Sequence, residues 1–301
     1  MTATESESGF AQWVPMIFVL LWSTGFIGAK YALPFIEPFN LLFVRMLITL
    51  AVFSGLIVYL KSPWPNFGQA CHQMVVGSLI HGAYLGGVFA AIKWQMPAGI
   101  TSLLVGLQPL LTGLLAWTVI GDRLRKRQWL GLMLGLVGVC MVLLRGQELG
   151  TFSLTLPAVI AAIVALIGIS AGTLYQKRFG QGIDLMTGAW FQYLATAVWM
   201  GVLTYVFENQ TIDWQPQLIL SLTWLVFGLS VTAILLLMLM IRQGAASEVA
   251  GYFYLVPPVT AIESWLLFNE QLGFWAIFGM LVAVSGVYLV IKSPQEKGRE
   301  Q

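Results

Sequence analysis

Only 9% of the 301 residues are charged, and histidine and cysteine occur just twice each. Each scarcity excludes something. So few charges cannot cover the surface of a soluble domain. Cys71 and Cys140 offer no disulfide framework and sit among no other thiols or imidazoles at zinc-site spacing, so both read as packing residues. His72 and His81 belong to no HExxH pair, and no GxxxxGK[ST] loop is present. No catalyst, cofactor site or metal centre is therefore expected. The net charge of +2 is too small, and its basic residues too dispersed, to suggest a nucleic-acid partner. The opening "MTATESESGFAQW" lacks a basic n-region, so it does not read as a cleaved secretory signal.

What the chain has is apolar length. It is 58% hydrophobic with a mean hydropathy of +0.83, a composition that belongs in a bilayer. A hydrocarbon core of about 30 Å needs roughly 20 apolar residues per helix. The apolar runs predict ten spans, near 13–33, 38–60, 73–93, 97–120, 129–145, 154–176, 185–207, 217–241, 245–268 and 273–292. They are too long for single strands and show no two-residue alternation, so an all-α membrane protein is expected rather than a barrel. The breaks "KSPWPNFG", "RGQELGT" and "ENQTIDWQPQ" carry turn chemistry and are too short for a soluble domain.

One hydrophobic phrase is written twice. "LQPLLTGLLAW", Leu107 to Trp117, returns as "LVPPVTAIESW", Leu255 to Trp265, 148 positions later. At the same offset Gln95, Ala98, Pro109, Thr112, Trp117, Gly131 and Gly138 meet Gln243, Ala246, Pro257, Thr260, Trp265, Gly279 and Gly286. Matched Pro, Trp and paired Gly over this length point to duplication. The relation is clear for the last two helices of each copy and faint over the first three. Five spans per copy make the second enter from the opposite side, giving two inverted five-helix repeats, 1–146 and 147–301, around a central cavity. Only the first copy runs on into "GDRLRKRQ"; its counterpart reads "FNEQLGFW". Cytoplasmic loops retain Lys and Arg, so both termini are expected to be cytoplasmic.

The doubled phrase, "WSTGFIGAKYALP" in the first helix, "FNLLFVRMLITL" in the second and the "GDRL" and "NEQL" endings resemble the EamA-type carriers of the drug/metabolite transporter superfamily. The resemblance covers nearly the whole chain. It implies a multi-pass protein of the inner (plasma) membrane that exports small metabolites, such as amino acids or their relatives, by alternating access. Its partners would be a small-molecule substrate and the lipid bilayer, with the chain a monomer or a homodimer.

Polar residues inside a span usually face the bundle interior or a water cavity. Lys30 shares a face with Ser23 and either serves a cavity or snorkels to the interface. Arg45 either clamps a substrate carboxylate or bonds helix-end carbonyls. Glu263 falls mid-span where the first copy has Leu115, and a lone carboxylate at that depth suits a proton-coupled carrier or a hydrogen bond to a neighbouring helix. Asp122 and Glu270 stand at equivalent span ends, where capping is the simplest task. Thr101, Gln108 and Thr112 share a face flanking Pro109, whose kink exposes a backbone carbonyl. His81 and Tyr84 offer an imidazole and a phenol from one face. Trp22, Tyr175, Gln192 and Tyr252 complete the candidates, because amphipathic side chains pack a ligand and also hydrogen-bond it. The stripe Gly131, Gly135, Gly138 against Gly279, Ala283, Gly286 permits close helix approach, within one chain or between two. A second reading makes the protein a multidrug or lipophilic-cation exporter, with Glu263 and aromatic rings as an acidic cage.

Overall fold

Side-chain chemistry at the helix starts sets where the long helices begin. The computed structural model describes residues 3–115, 126–148, 154–234, 236, 255–270 and 273–291, and among these the regular structure is helical, with one isolated bridge, Ile36 to Ile212. The helices are α1 (Ala3–Ala32), α2 (Pro38–Leu60), α3 (Phe67–Lys93), α4 (Ala98–Leu115) and α5 (Lys126–Glu148). They continue as α6 (Leu156–Phe179), α7 (Leu185–Phe207), α8 (Pro216–Ala233), α9 (Val256–Phe268) and α10 (Phe274–Ile291). Six of them, α2, α3, α4, α6, α7 and α8, are long and apolar enough to cross a membrane.

Proline opens α2, where its missing N–H costs nothing. Asp184 caps α7 by accepting from the backbone N–H groups of Met186 and Thr187. A capping box between Asn66 and Gln69 starts α3 at Phe67, six residues before the span predicted from hydropathy. The polar "FGQACH" turn is thus helical because its end is capped, a signal that apolar run length does not carry.

Two helices are locally widened. Ser78–Leu85 of α3 and Trp224–Ala233 of α8 are π-helical, and their last residues stand 148 positions apart. The helix α7 begins and ends 147 positions after α2. The spacing read from the fourth and fifth helices therefore recurs in the backbone of the second and third, where side-chain identity had faded. The helix α4 is interrupted between Val105 and Gln108. Pro109 can neither donate to nor pack against the carbonyl of Val105, and the helix breaks one turn before it.

Packing mixes the two copies. The helices α3 and α4 pack on α6, α8 and α9 pack on α1, α2 lies against α7, and α5 against α10. The last pair meets along a glycine seam. A Cβ on Gly138 would stand 2.5 Å from the backbone of Gly279 and Ala283, and one on Gly286 equally close to Gly131. The small-residue stripe is therefore consumed inside one chain, not left open for a second. The buried core is aliphatic and aromatic, built around Phe18, Phe53, Phe89 and Tyr193. Outward faces stay apolar, as at Val58, Tyr205, Leu220 and Phe274, which suits lipid rather than water.

Candidate functional site

Both π-helical segments turn a wall toward one central cavity. Widened turns of this kind concentrate at functional sites. Ile80, His81, Tyr84 and Leu85 come from the segment in α3, and Leu229 and Ser230 from the one in α8. Trp22, Gly25 and Phe26 of α1, Arg45 of α2 and Tyr193 of α7 line the same cavity. A second cavity shares Trp22, Phe26 and Tyr84 and adds Ser102, Gln108, Ile169, Val256 and Pro257.

Arg45 is the electrostatic centre. It is only 4% exposed, and its Nε donates to Ser230 Oγ at 3.0 Å. Among the described residues no carboxylate pairs with it. Tyr193 donates its hydroxyl to the Ser230 carbonyl at 2.9 Å, so one residue of the π-helical turn anchors both neighbours. The rings of His81 and Tyr193 lie 4.8 Å apart. His81 Nε2 is 3.2 Å from Gln192 Oε1, and Gln192 Nε2 donates to Gln73 Oε1 at 2.6 Å. Trp22 and Tyr84 both stand on the wall shared by the two cavities. The polar groups other than Arg45 are thus largely satisfied by one another. A guanidinium carries five donors and no acceptor, so the donors left after Ser230 suit an anion.

The remaining candidates lie at measurable removes. Gln108 lines the second cavity and donates to Thr173 Oγ1 at 3.0 Å. Gln192 sits behind His81 and orients it. Glu263 lines neither cavity; its Oε1 accepts from Ser23 at 2.8 Å and its Oε2 is buried without a hydrogen bond. Lys30 is ion-paired with Glu270 and lies 4.3 Å from the centre of the Phe268 ring. Tyr175 sits with His72, Nδ1 to hydroxyl 2.8 Å, and lines neither cavity. Thr101 returns its hydroxyl to the Pro97 carbonyl, and the hydroxyl of Thr112 is buried without a partner. Tyr252 and Asp122 lie outside the described residues. Sequence reasoning missed Tyr193, Ser230 and Gln73. A signal for Tyr193 existed, because it stands 148 positions after Arg45.

With a helical bundle and a central cavity that holds a buried arginine in place, the comparisons with known proteins fit the same plan. The model of the EamA-like transporter family matches twice, at residues 10–144 and 156–292, and the chain belongs to that family. It is a membrane transporter, and the family implies small-molecule substrates. An uncharacterized transporter of Bacillus subtilis, YvbV, is 26% identical over 292 residues, covering 93% of this chain and 91% of its own. A protein of Escherichia coli named a probable amino-acid metabolite efflux pump is 24% identical over 288 residues, covering 91% and 92%. Another from that organism, the uncharacterized inner membrane transporter YedA, is 23% identical over 282 residues, covering 91% and 90%. A solved crystal structure superposes with a TM-score of 0.63 at 20% identity, over 93% of this chain and 96% of that one, which is a likeness of fold.

Proposed function

We propose that this transporter exports small amphipathic metabolites, amino acids or their relatives, from the cytoplasm by alternating access around the Arg45 cavity. The observation that carries the reading is a buried guanidinium on a cavity wall with no carboxylate partner among the described residues. Uncompensated charge in a low-dielectric interior is costly, and a substrate carboxylate is the counterion that relieves it. In this reading two inverted five-helix halves, 1–146 and 147–301, make ten spans and rock about the site. The membrane is the inner (plasma) membrane and both termini are cytoplasmic. The excess of Lys and Arg in the loops assigned to that side supports the orientation, and the efflux-pump name of the Escherichia coli relative supports export. Glu263 serves proton coupling, supported by its bond to Ser23, the residue beside the cavity-lining Trp22.

The multidrug or lipophilic-cation alternative is weaker. The fixed charge on the cavity wall is positive, and Glu263 does not reach that wall. An efflux assay over a metabolite panel, in cells producing the protein, tests the reading. Protein-dependent appearance of amino acids or related acids in the medium, lost in Arg45→Gln, is expected. Efflux confined to organic cations, or unchanged by Arg45→Gln, would reject it.

A further inference from the structure

The exporter reading leaves the charge type of the solute open. We infer that the site selects carboxylates that carry no free ammonium group, with a compact apolar or aromatic body: the carboxylate meets Arg45 in the first cavity and the body extends past Trp22 and Tyr84 into the second. The inference rests on the exporter reading and narrows it.

Charge balance is the first ground. Among the described lining residues of both cavities Arg45 is a fixed cation and no carboxylate is present. A simple anion is neutralised on entry. A zwitterion brings an ammonium group as well, which must leave water and finds only neutral acceptors among the described lining residues. Desolvating an ion without an opposite charge is costly, so the zwitterion gives back much of what its carboxylate gains. Neither Glu263, bonded to Ser23, nor Glu270, ion-paired with Lys30, lines either cavity.

The second ground is the character of the further cavity. Ile169, Val256 and Pro257 give it an apolar lining. The Ser102 hydroxyl is spent on the Gly99 carbonyl and one N–H of Gln108 on Thr173. A chamber walled chiefly by hydrocarbon and ring faces suits an apolar or aromatic body. The shared wall of Trp22, Phe26 and Tyr84 makes the two chambers neighbours, one end charged and the other apolar.

The test uses three solutes with the same benzyl body and different charge: N-acetylphenylalanine, phenylalanine and phenethylamine. Binding to the purified full-length protein in lipid nanodiscs is measured by titration calorimetry, and counterflow in proteoliposomes gives a second readout. N-acetylphenylalanine should bind at least tenfold more tightly than phenylalanine, with phenethylamine weakest. Arg45→Gln should remove that advantage, and Arg45→Lys should restore part of it. Should Arg45→Gln fail to give monodisperse protein, the ranking on the unaltered chain decides alone. Equal or tighter binding of phenylalanine, a preference for phenethylamine, or binding of none of the three overturns the inference. The efflux panel separates the two readings: robust export of zwitterionic amino acids keeps the exporter and discards the charge selection, whereas no export of any acid discards both.

Discussion

Arg45 on α2 and Tyr193 on α7 stand 148 positions apart, on helices that pack against each other, and both bond Ser230. One is a permanent cation and the other a neutral phenol. The same division separates Leu115 from Glu263 and His81 from Leu229, pairs at the same offset. The backbones of the copies agree in the bounds of α2 and α7 and in the placement of their π-helical turns, while the polar side chains do not. Duplication supplied the scaffold twice, and divergence placed the cation of the cavity in the first copy and the mid-span carboxylate in the second. The cavity is therefore chemically one-sided although its frame is repeated.

The largest effect should come from breaking that asymmetry at its cation. Arg45→Gln removes charge-assisted hydrogen bonds of about 1.5–3 kcal/mol, so carboxylate transport into proteoliposomes should fall roughly ten- to a hundredfold. Tyr193→Phe removes one neutral hydrogen bond of about 1 kcal/mol, a loss of roughly fivefold. Equal losses would mean that the two positions are equivalent in function as well as in place.

Glu263→Gln is next. Gln keeps an oxygen for Ser23 but takes up no proton, so pH-gradient-driven net transport should drop about tenfold, equivalent to ~1.4 kcal/mol, while solute exchange at equal pH persists. An unchanged rate and pH profile would return Glu263 to a structural hydrogen bond.

The seam between α5 and α10 tests the symmetric part of the comparison. Gly138→Ala and Gly286→Ala each press a methyl group onto facing backbone, which should cost about 1–3 kcal/mol and lower the melting temperature in detergent by several degrees. Gly55 has open space around it, so Gly55→Ala should change stability by less than about 1 kcal/mol. Matching shifts for the two seam variants are expected, and a harmless Gly138→Ala would mean that the seam is looser than its geometry.

The smallest effect concerns Glu208, which follows α7 and accepts from the Phe39 and Asn40 backbone N–H groups at the start of α2. Loss of water around its carboxyl raises its pKa above the ordinary glutamate value, and Glu37 adds to this, while the two N–H bonds and Lys93 oppose it. A raised folded-state pKa contributes stability that is present below the unfolded value near 4.5 and lost as pH rises through the folded one. Melting temperature should thus fall slightly as pH climbs from about 4.5, and Glu208→Gln should flatten that slope. A slope identical in the variant would assign the pH dependence to another group.

The broad plan was legible because it is written locally. Apolar run length marks helices, Pro and Gly mark breaks, and the doubled phrase marks duplication. Trp22, Arg45, His81 and Tyr84 stood out as polar or amphipathic residues within spans, and all four line the first cavity. Lys30 and Tyr175 stood out by the same rule yet lie against Glu270 and His72. Residue type cannot distinguish these cases, since the face a helix turns inward depends on neighbours distant in sequence. Ser230 was invisible for a further reason: its role depends on the widened turn in α8, which hydropathy does not register.

The glycine seam also sets an order of events during synthesis. The helix α5 ends at Glu148, and its partner α10 does not begin until Phe274. At ~5–20 residues per second, the first strip of bare backbone waits on the order of ten seconds before its cover leaves the ribosome. Throughout that interval α5 must be held by lipid or by the insertion machinery. The final helix thus acts as the closing stitch, and a chain truncated before it would leave the first copy unsealed rather than half finished.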